Sequence, residues 1–300
     1  MERSLVILNP TAGKLRGARR IDAIVSALSA RSSVDVFQTR RPLDAAEKAF
    51  DSAGKYDVII AVGGDGTLNE VISGLMKHDR RPELGYIPCG STNDFAASIP
   101  LPLDPVRCAA GISLGGAVPI DIGRFDAESN TSSTRYFSYI ASCGAFTDSS
   151  YLTPQRLKNK LGHQAYVLDA LRRLEIPEAL ELTVQTENKK YEGRFIFCAV
   201  CNTTSAGRII RLPRSKVRLN DGRFELLMIR EPETPAHYIS IASEILASRF
   251  ADENIIFTKT ADISVSSGTS ISWSLDGERA DCGEGTVRIR NEKRALLLRT

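Results

Sequence analysis

The sequence has no long hydrophobic run. Its most apolar stretches, such as Val58-Ile59-Ile60-Ala61-Val62, fall far short of the roughly 20 residues that a membrane-spanning helix needs, which excludes an integral helical membrane protein. The start Met1-Glu2-Arg3-Ser4 leads into a short apolar segment that stops at Asn9-Pro10. No secretory signal is therefore visible, and the cytoplasm is the expected compartment. Neither sign of charge is in excess: a net +3 and a pI near 8.5 lack the strongly basic face of a nucleic-acid binder. An anionic small ligand or an anionic membrane surface stays open as a partner. Metal-type cysteine spacing is absent except at Cys198-Ala-Val-Cys201, which has no second pair and lies in an apolar run that reads as a buried strand with packing cysteines. Cys89, Cys108, Cys143 and Cys282 are scattered through a chain too large to depend on disulfide staples. Internal repeats and low-complexity tracts are also missing.

What is present is an ordinary globular composition, 42% hydrophobic and 25% charged over 300 residues, long enough that two domains are expected. Through residue 122, short β-rich runs at 5–8, 34–37, 58–62 and 84–87 alternate with helical patterns at 18–29, 45–53 and 68–77. That alternation implies a parallel sheet covered on both faces. After Ile122 the texture changes to longer β-favouring segments at 136–142, 180–186, 194–200, 224–229 and 263–265, with helices near 161–174 and 237–248. The expected fold is thus an α/β N-terminal domain (1–122) and a mainly antiparallel β-sandwich domain (123–290). The tail at 291–300 could belong to either.

The turns after the strands carry the unusual residues: Asn9-Pro10-Thr11-Ala12-Gly13-Lys14, Gly63-Gly64-Asp65-Gly66-Thr67, and Pro88-Cys89-Gly90-Ser91-Thr92-Asn93-Asp94. Ligands in open α/β sheets bind at the carboxyl ends of strands, so these loops should converge. Gly63–Thr67 follows a strand and opens a helix, which exposes backbone N–H groups to phosphate oxygens. It lacks the lysine of the G-x-x-x-x-G-K-[ST] phosphate loop and the third glycine of the dinucleotide fingerprint, disfavouring both of those nucleotide folds.

With Leu68-Asn69-Glu70 behind it, this turn resembles the nucleotide loop of the diacylglycerol kinase catalytic domain, shared by bacterial lipid kinases and sphingosine kinases. NAD kinases and phosphofructokinases carry a similar turn. The likeness continues through Asn9-Pro10 with Gly13-Lys14, Pro88 to Phe95, Asp121-Ile122-Gly123 and Leu275-Asp276-Gly277-Glu278, in that order. The segments 146–151 and 155–163 look closest to the soluble kinases of Gram-positive bacteria.

The resemblance implies ATP contacts from Asn9, Pro10, Thr11, Ala12, Gly13, Thr39, Gly63, Gly64, Asp65, Gly66, Thr67, Leu68, Asn69 and Ser91. Ser91 stands where the family commonly has threonine. It also implies Mg²⁺ held by Asp65, directly or through water, with Lys14, Asp94 and Asp121 in a water-bridged network beneath it. Glu278 would be the general base on the lipid hydroxyl. A second, structural Mg²⁺ would sit on the Asp221 side chain and the carbonyls of Arg218 and Arg223. Each has a plainer alternative: Thr39 as a cap, Asp65 and Glu278 as turn residues, Asp221-Gly222 as a hairpin turn. The basic groups Lys14, Arg16, Arg19, Arg20 and Arg156, Lys158, Lys160 are either solvated faces or an attraction for an anionic leaflet.

The expected activity is transfer of the ATP γ-phosphoryl group to diacylglycerol, forming phosphatidic acid. Other acceptors (a sphingoid base, a polyprenol, another glycerolipid), an NAD kinase and a non-catalytic nucleotide-binding regulator are the alternatives. A homodimer is left open.

Overall fold

The computed structural model describes residues 1–130, 134–145, 177–206, 210–213, 215 and 217–300. The segments 146–151 and 155–163, the helix expected near 161–174 and the basic group Arg156, Lys158 and Lys160 lie outside the described residues.

The first half runs β1 (Glu2–Leu8), α1 (Ile21–Leu28), β2 (Ser32–Gln38), α2 (Asp44–Ser52), β3 (Val58–Gly63), α3 (Asp65–Met76), β4 (Glu83–Pro88), α4 (Asp94–Ala97) and α5 (Pro105–Leu114). The first four strands lie parallel in the order β2-β1-β3-β4. Every residue of Val58–Gly63 is buried, as a strand covered on both faces requires. Alternation divides the core: Leu5, Ile7, Ile59, Ala61, Leu84 and Tyr86 join one apolar cluster with residues of α2 and α3. Val6, Leu8, Val58, Ile60, Val62 and Ile87 join another with residues of α1 and α5. The register sets Leu8 beside Val62 and Val62 beside Ile87, so the carboxyl ends of β1, β3 and β4 are level. Helix α3 begins at Asp65 rather than at 68, since extended Gly64 ends the strand run and the acidic residue suits the first turn.

The chain then enters β5 (Ala117–Ala127), an unbroken strand that contains Ile122, so the change of texture seen there is crossed without a linker. The second half continues with β6 (Arg135–Phe137), β7 (Ile140–Gly144), β8 (Leu180–Thr186), β9 (Lys190–Cys201), β10 (Ser205–Ala206), β11 (Ile210–Arg211), β12 (Phe224–Arg230) and α6 (Pro235–Leu246). After α6 come β13 (Ile255–Thr260), β14 (Asp262–Ser267), β15 (Ser272–Leu275), β16 (Glu278–Asp281) and β17 (Gly285–Arg299). Its strands pair antiparallel around a core that includes Phe125, Phe137, Phe195, Phe224 and Trp273. The run 136–142 is two strands rather than one: it breaks at Ser138-Tyr139, β6 pairing with β5 and β7 with β9 and β15. All six cysteines are buried free thiols. Cys198 and Cys201, an odd number of residues apart on β9, face different cores and do not form a metal pair.

Strand β17 joins the halves. It pairs with β14 at Val287–Val265, follows β5 along its length, bulges between Glu292 and Leu296, and ends parallel to β4 at Leu298–Leu84. Among the described residues no helix is long and apolar enough to cross a membrane.

Helices α2 and α3 touch through Gly74, where a Cβ would stand 2.2 Å from the Ala46 carbonyl oxygen. Gly74→Ala must push them apart and should cost about 1–3 kcal/mol, read from urea unfolding; an unchanged midpoint would mean the contact yields freely.

Candidate active site

The three loops at the level carboxyl ends meet through backbone. Gly63 O accepts from the amides of Cys89 (2.7 Å) and Gly90 (3.1 Å), and Asn9 N donates to Val62 O at 2.9 Å. Two glycines make this approach feasible. Gly13 has φ +53°, and a Cβ there would fall 1.7 Å from Cys89 O; one on Gly90 would fall 2.4 Å from the Gly64 Cα. Asn93, at φ +51°, exchanges two hydrogen bonds with Gly90 and fixes the third loop. Asn9 Nδ2 donates to Thr67 Oγ1 at 3.1 Å, tying the first loop to α3. Among the described residues no side chain caps that helix, so its first-turn amides stay available to anionic oxygens.

Other nucleotide-site candidates fall around this junction. Thr11 donates through N and Oγ1 to Asn9 Oδ1, and Thr39 N donates to Leu8 O, beside the end of β1. Pro10 and Ala12 are half-buried, and Ser91 is exposed. Leu68 is fully buried in the core, so only its backbone could meet a ligand. Asn69 directs its amide away, to Tyr136 O (3.0 Å) and Asp276 Oδ2 (2.8 Å).

Asp65 accepts from the amides of Asp94 (3.1 Å) and Phe95 (3.3 Å) at the start of α3. Burial pushes its carboxyl up to about 6, reinforced by the charges of Asp94 and Asp276 and opposed by the two amides. A carboxylate so placed fits a cation. Among the described residues no cluster of three or more His, Cys, Asp or Glu encloses a metal point. Mg²⁺ itself takes only one or two carboxylates and fills its shell with water and phosphate oxygens. Asp94 is buried and takes a 3.3 Å bond from Ser205 Oγ. Lys14 is exposed, with no ion pair among the described residues, while Arg16 and Arg20 bind Leu103 O and Asp104. Asp121 is wholly buried and its carboxylate serves backbone, accepting from Gly222 N (2.6 Å) and Arg294 N (2.7 Å).

Leu275-Asp276-Gly277-Glu278 forms the β15–β16 hairpin. Both central residues have positive φ, +52° and +89°, which the Asp-Gly pair tolerates in a tight two-residue turn. The turn reading holds, and the hairpin reaches the glycine loop: Glu278 Oε1 lies 3.5 Å from where a Gly66 Cβ would sit. Asp276, quoted in the motif but given no role, does the anchoring. Its carboxylate accepts from Ser138 N (2.6 Å), Ser138 Oγ (2.8 Å), Tyr139 N and Ile140 N (both 3.0 Å), besides Asn69 Nδ2. Those bonds explain the break at 138–139. Asn202 Nδ2, also missed, donates to Asp121 O and Ser138 O and joins the two carboxylate networks. No local pattern marks it.

The Asp221-Gly222 turn does not connect paired strands, since β12 pairs with β9 and β13. Asp221 accepts from Arg223 N (3.0 Å) and from Lys259 Nζ (2.8 Å).

Residues 3–125 match the family model described as the diacylglycerol kinase catalytic domain. The chain is 34% identical over 283 residues to the diacylglycerol kinase of Bacillus subtilis (strain 168), covering 93% of this chain and 90% of that one. The chain belongs to the diacylglycerol kinase family. Membership makes it an ATP-dependent lipid kinase. A diacylglycerol kinase of Staphylococcus haemolyticus (strain JCSC1435) is 32% identical over 278 residues, covering 91% of this chain and 81% of that one. A crystal structure of a diacylglycerol kinase from Bacillus anthracis str. Sterne has the same fold, with a TM-score of 0.77 at 21% identity, covering 99% and 96% of the two chains.

Two outcomes follow for this kinase. Asp276→Ala strands five donors and should cost about 3–5 kcal/mol in chemical denaturation; a loss under 1 kcal/mol, in order of magnitude, would deny it the anchoring role. Asp65 binds its proton more tightly folded than unfolded, so it lowers the stability of the ligand-free protein as pH rises from 3.8 to about 6. Asp65→Asn should remove that slope, worth on the order of 3 kcal/mol, from a pH series of melts.

Proposed function

We propose that the chain transfers the γ-phosphoryl group of ATP to the hydroxyl of diacylglycerol, giving phosphatidic acid, with Glu278 as general base. The observation that carries this reading is the approach of the Glu278 carboxylate to Gly66, which sets a proton acceptor beside the loop suited to the triphosphate. The amides of Gly63–Thr67 and the α3 N-terminus bind phosphate oxygens, while Asn9 holds Thr67 in place. Asp65 would hold Mg²⁺, with Asp94 beside it. When bound, the ion offsets negative charge on the transferring group. Glu278 takes the proton as the lipid oxygen bonds to γ-phosphorus, and the bond to the ADP oxygen breaks. Exposed Lys14 and Arg19 lie next to the phosphate loop, where each would add about 1 kcal/mol of attraction to an anionic leaflet and bring the kinase to a substrate that stays in the bilayer.

Glu278→Gln should bind ATP normally and lose about 10²–10⁴-fold in turnover, measured with labelled ATP and vesicles carrying diacylglycerol, a sphingoid base or a polyprenol, with NAD in parallel. Near-normal turnover would remove Glu278 from the reaction, and label in another acceptor alone would reassign the substrate.

A further inference from the structure

The 218–223 loop is where the family resemblance sets a structural Mg²⁺, and its side chains do not fit one. Both Asp221 oxygens are engaged, Oδ1 by the Arg223 amide and Oδ2 by the Lys259 ammonium at 2.8 Å. The same ammonium stands 3.2 Å from Glu225 Oε1. Glu225 is 0% exposed; burial pushes its carboxyl up to about 7 while the Lys259 ammonium opposes the rise, so Lys259 is the cation that compensates its burial. The placement is dictated by register, since Glu225 on β12 and Lys259 on β13 are direct cross-strand partners. A divalent ion on Asp221 would have to evict this positive charge or settle within a few ångström of it.

The geometry points to Lys259 as a built-in cation that pins the 218–223 loop in place of a metal. Lys259 is a positioning residue, and its effect travels through backbone. Asp121 N donates to Leu219 O at 2.6 Å and the Asp121 carboxylate receives Gly222 N, so the pinned loop is bonded to β5. Asp121 O and Ser138 O share Asn202, and Ser138 is bonded to Asp276, two residues before Glu278. The inference goes beyond the proposed reaction and does not depend on which lipid is the acceptor. A cavity of about 380 Å³, lined by Arg218, Asp221, Glu225, Phe257 and Lys259 among others, leaves the ammonium reachable by solvent ions.

The test is thermal unfolding of the full chain without nucleotide, in chelator and in millimolar Mg²⁺ or Ca²⁺. The wild-type midpoint should move by no more than about 1 °C between these conditions. Lys259→Met keeps the stem and loses the charge. It should melt several degrees lower in chelator and regain part of that in divalent cation, which can take the place between Asp221 and Glu225; Lys259→Arg should melt like the wild type. The proposal is overturned if Mg²⁺ stabilises the wild type and Asp221→Asn abolishes the gain, or if Lys259→Met melts like the wild type in chelator. Should Lys259→Met not fold, Mn²⁺ binding to the wild type by electron paramagnetic resonance decides. No bound ion that depends on Asp221 supports the built-in cation, and one that disappears in Asp221→Asn refutes it.

Discussion

One buried carboxylate holds the Leu275–Glu278 hairpin in register with the glycine turn at the start of α3. Asp276 accepts five hydrogen bonds, four from the 138–140 turn and one from Asn69 on α3. Burial raises its pKa while those donors oppose the rise. Because Asn69 lies one turn after Gly66, and Glu278 two residues after Asp276, the spacing between the Glu278 carboxylate and the glycine turn is set by this interaction. Positive φ at Asp276 and Gly277 makes the hairpin tight enough for that control to be short-range.

A division of labour runs through the acidic residues. Asp121 and Asp276 spend their oxygens on protein donors and act as struts, whereas Asp65 sits at a helix start, short of compensation, where a cation would relieve it. Sequence likeness grouped Asp121 with the metal network. In the structure its carboxylate accepts from the amides of Gly222 and Arg294, and its own amide donates to Leu219 O. The glycines follow the same logic. Gly13 and Gly90 allow loop backbones to interlock, which keeps the site polar by way of amides rather than side chains.

Much of this was legible beforehand where local chemistry decides structure. The continuous apolar run at 58–62, the glycine turn and the α/β alternation specified the parallel sheet and the convergence of its loops. Long-range contacts were less visible. The pattern at 136–142 reads as one strand because its residues favour β structure; only Asp276, more than a hundred positions later, breaks it. Leu275–Glu278 could be recognised as a motif, yet nothing local distinguished its aspartate as the anchor and its glutamate as the group facing Gly66. Asn202 carries no signal at all, since a buried asparagine at a strand end is defined only by what surrounds it.

Strand β17 has a further consequence, for the newborn chain. Leu298 and Arg299 lie against β4, and Arg299 also binds Glu2 and Glu83, so the growing polypeptide has an open β4 edge until residues 285–299 are made. Strand β5 likewise lacks its long partner until then. Such edges invite pairing with other chains. The sheet is thus closed only once this late strand has been made, and until then its unfinished edge is exposed to pairing with other chains.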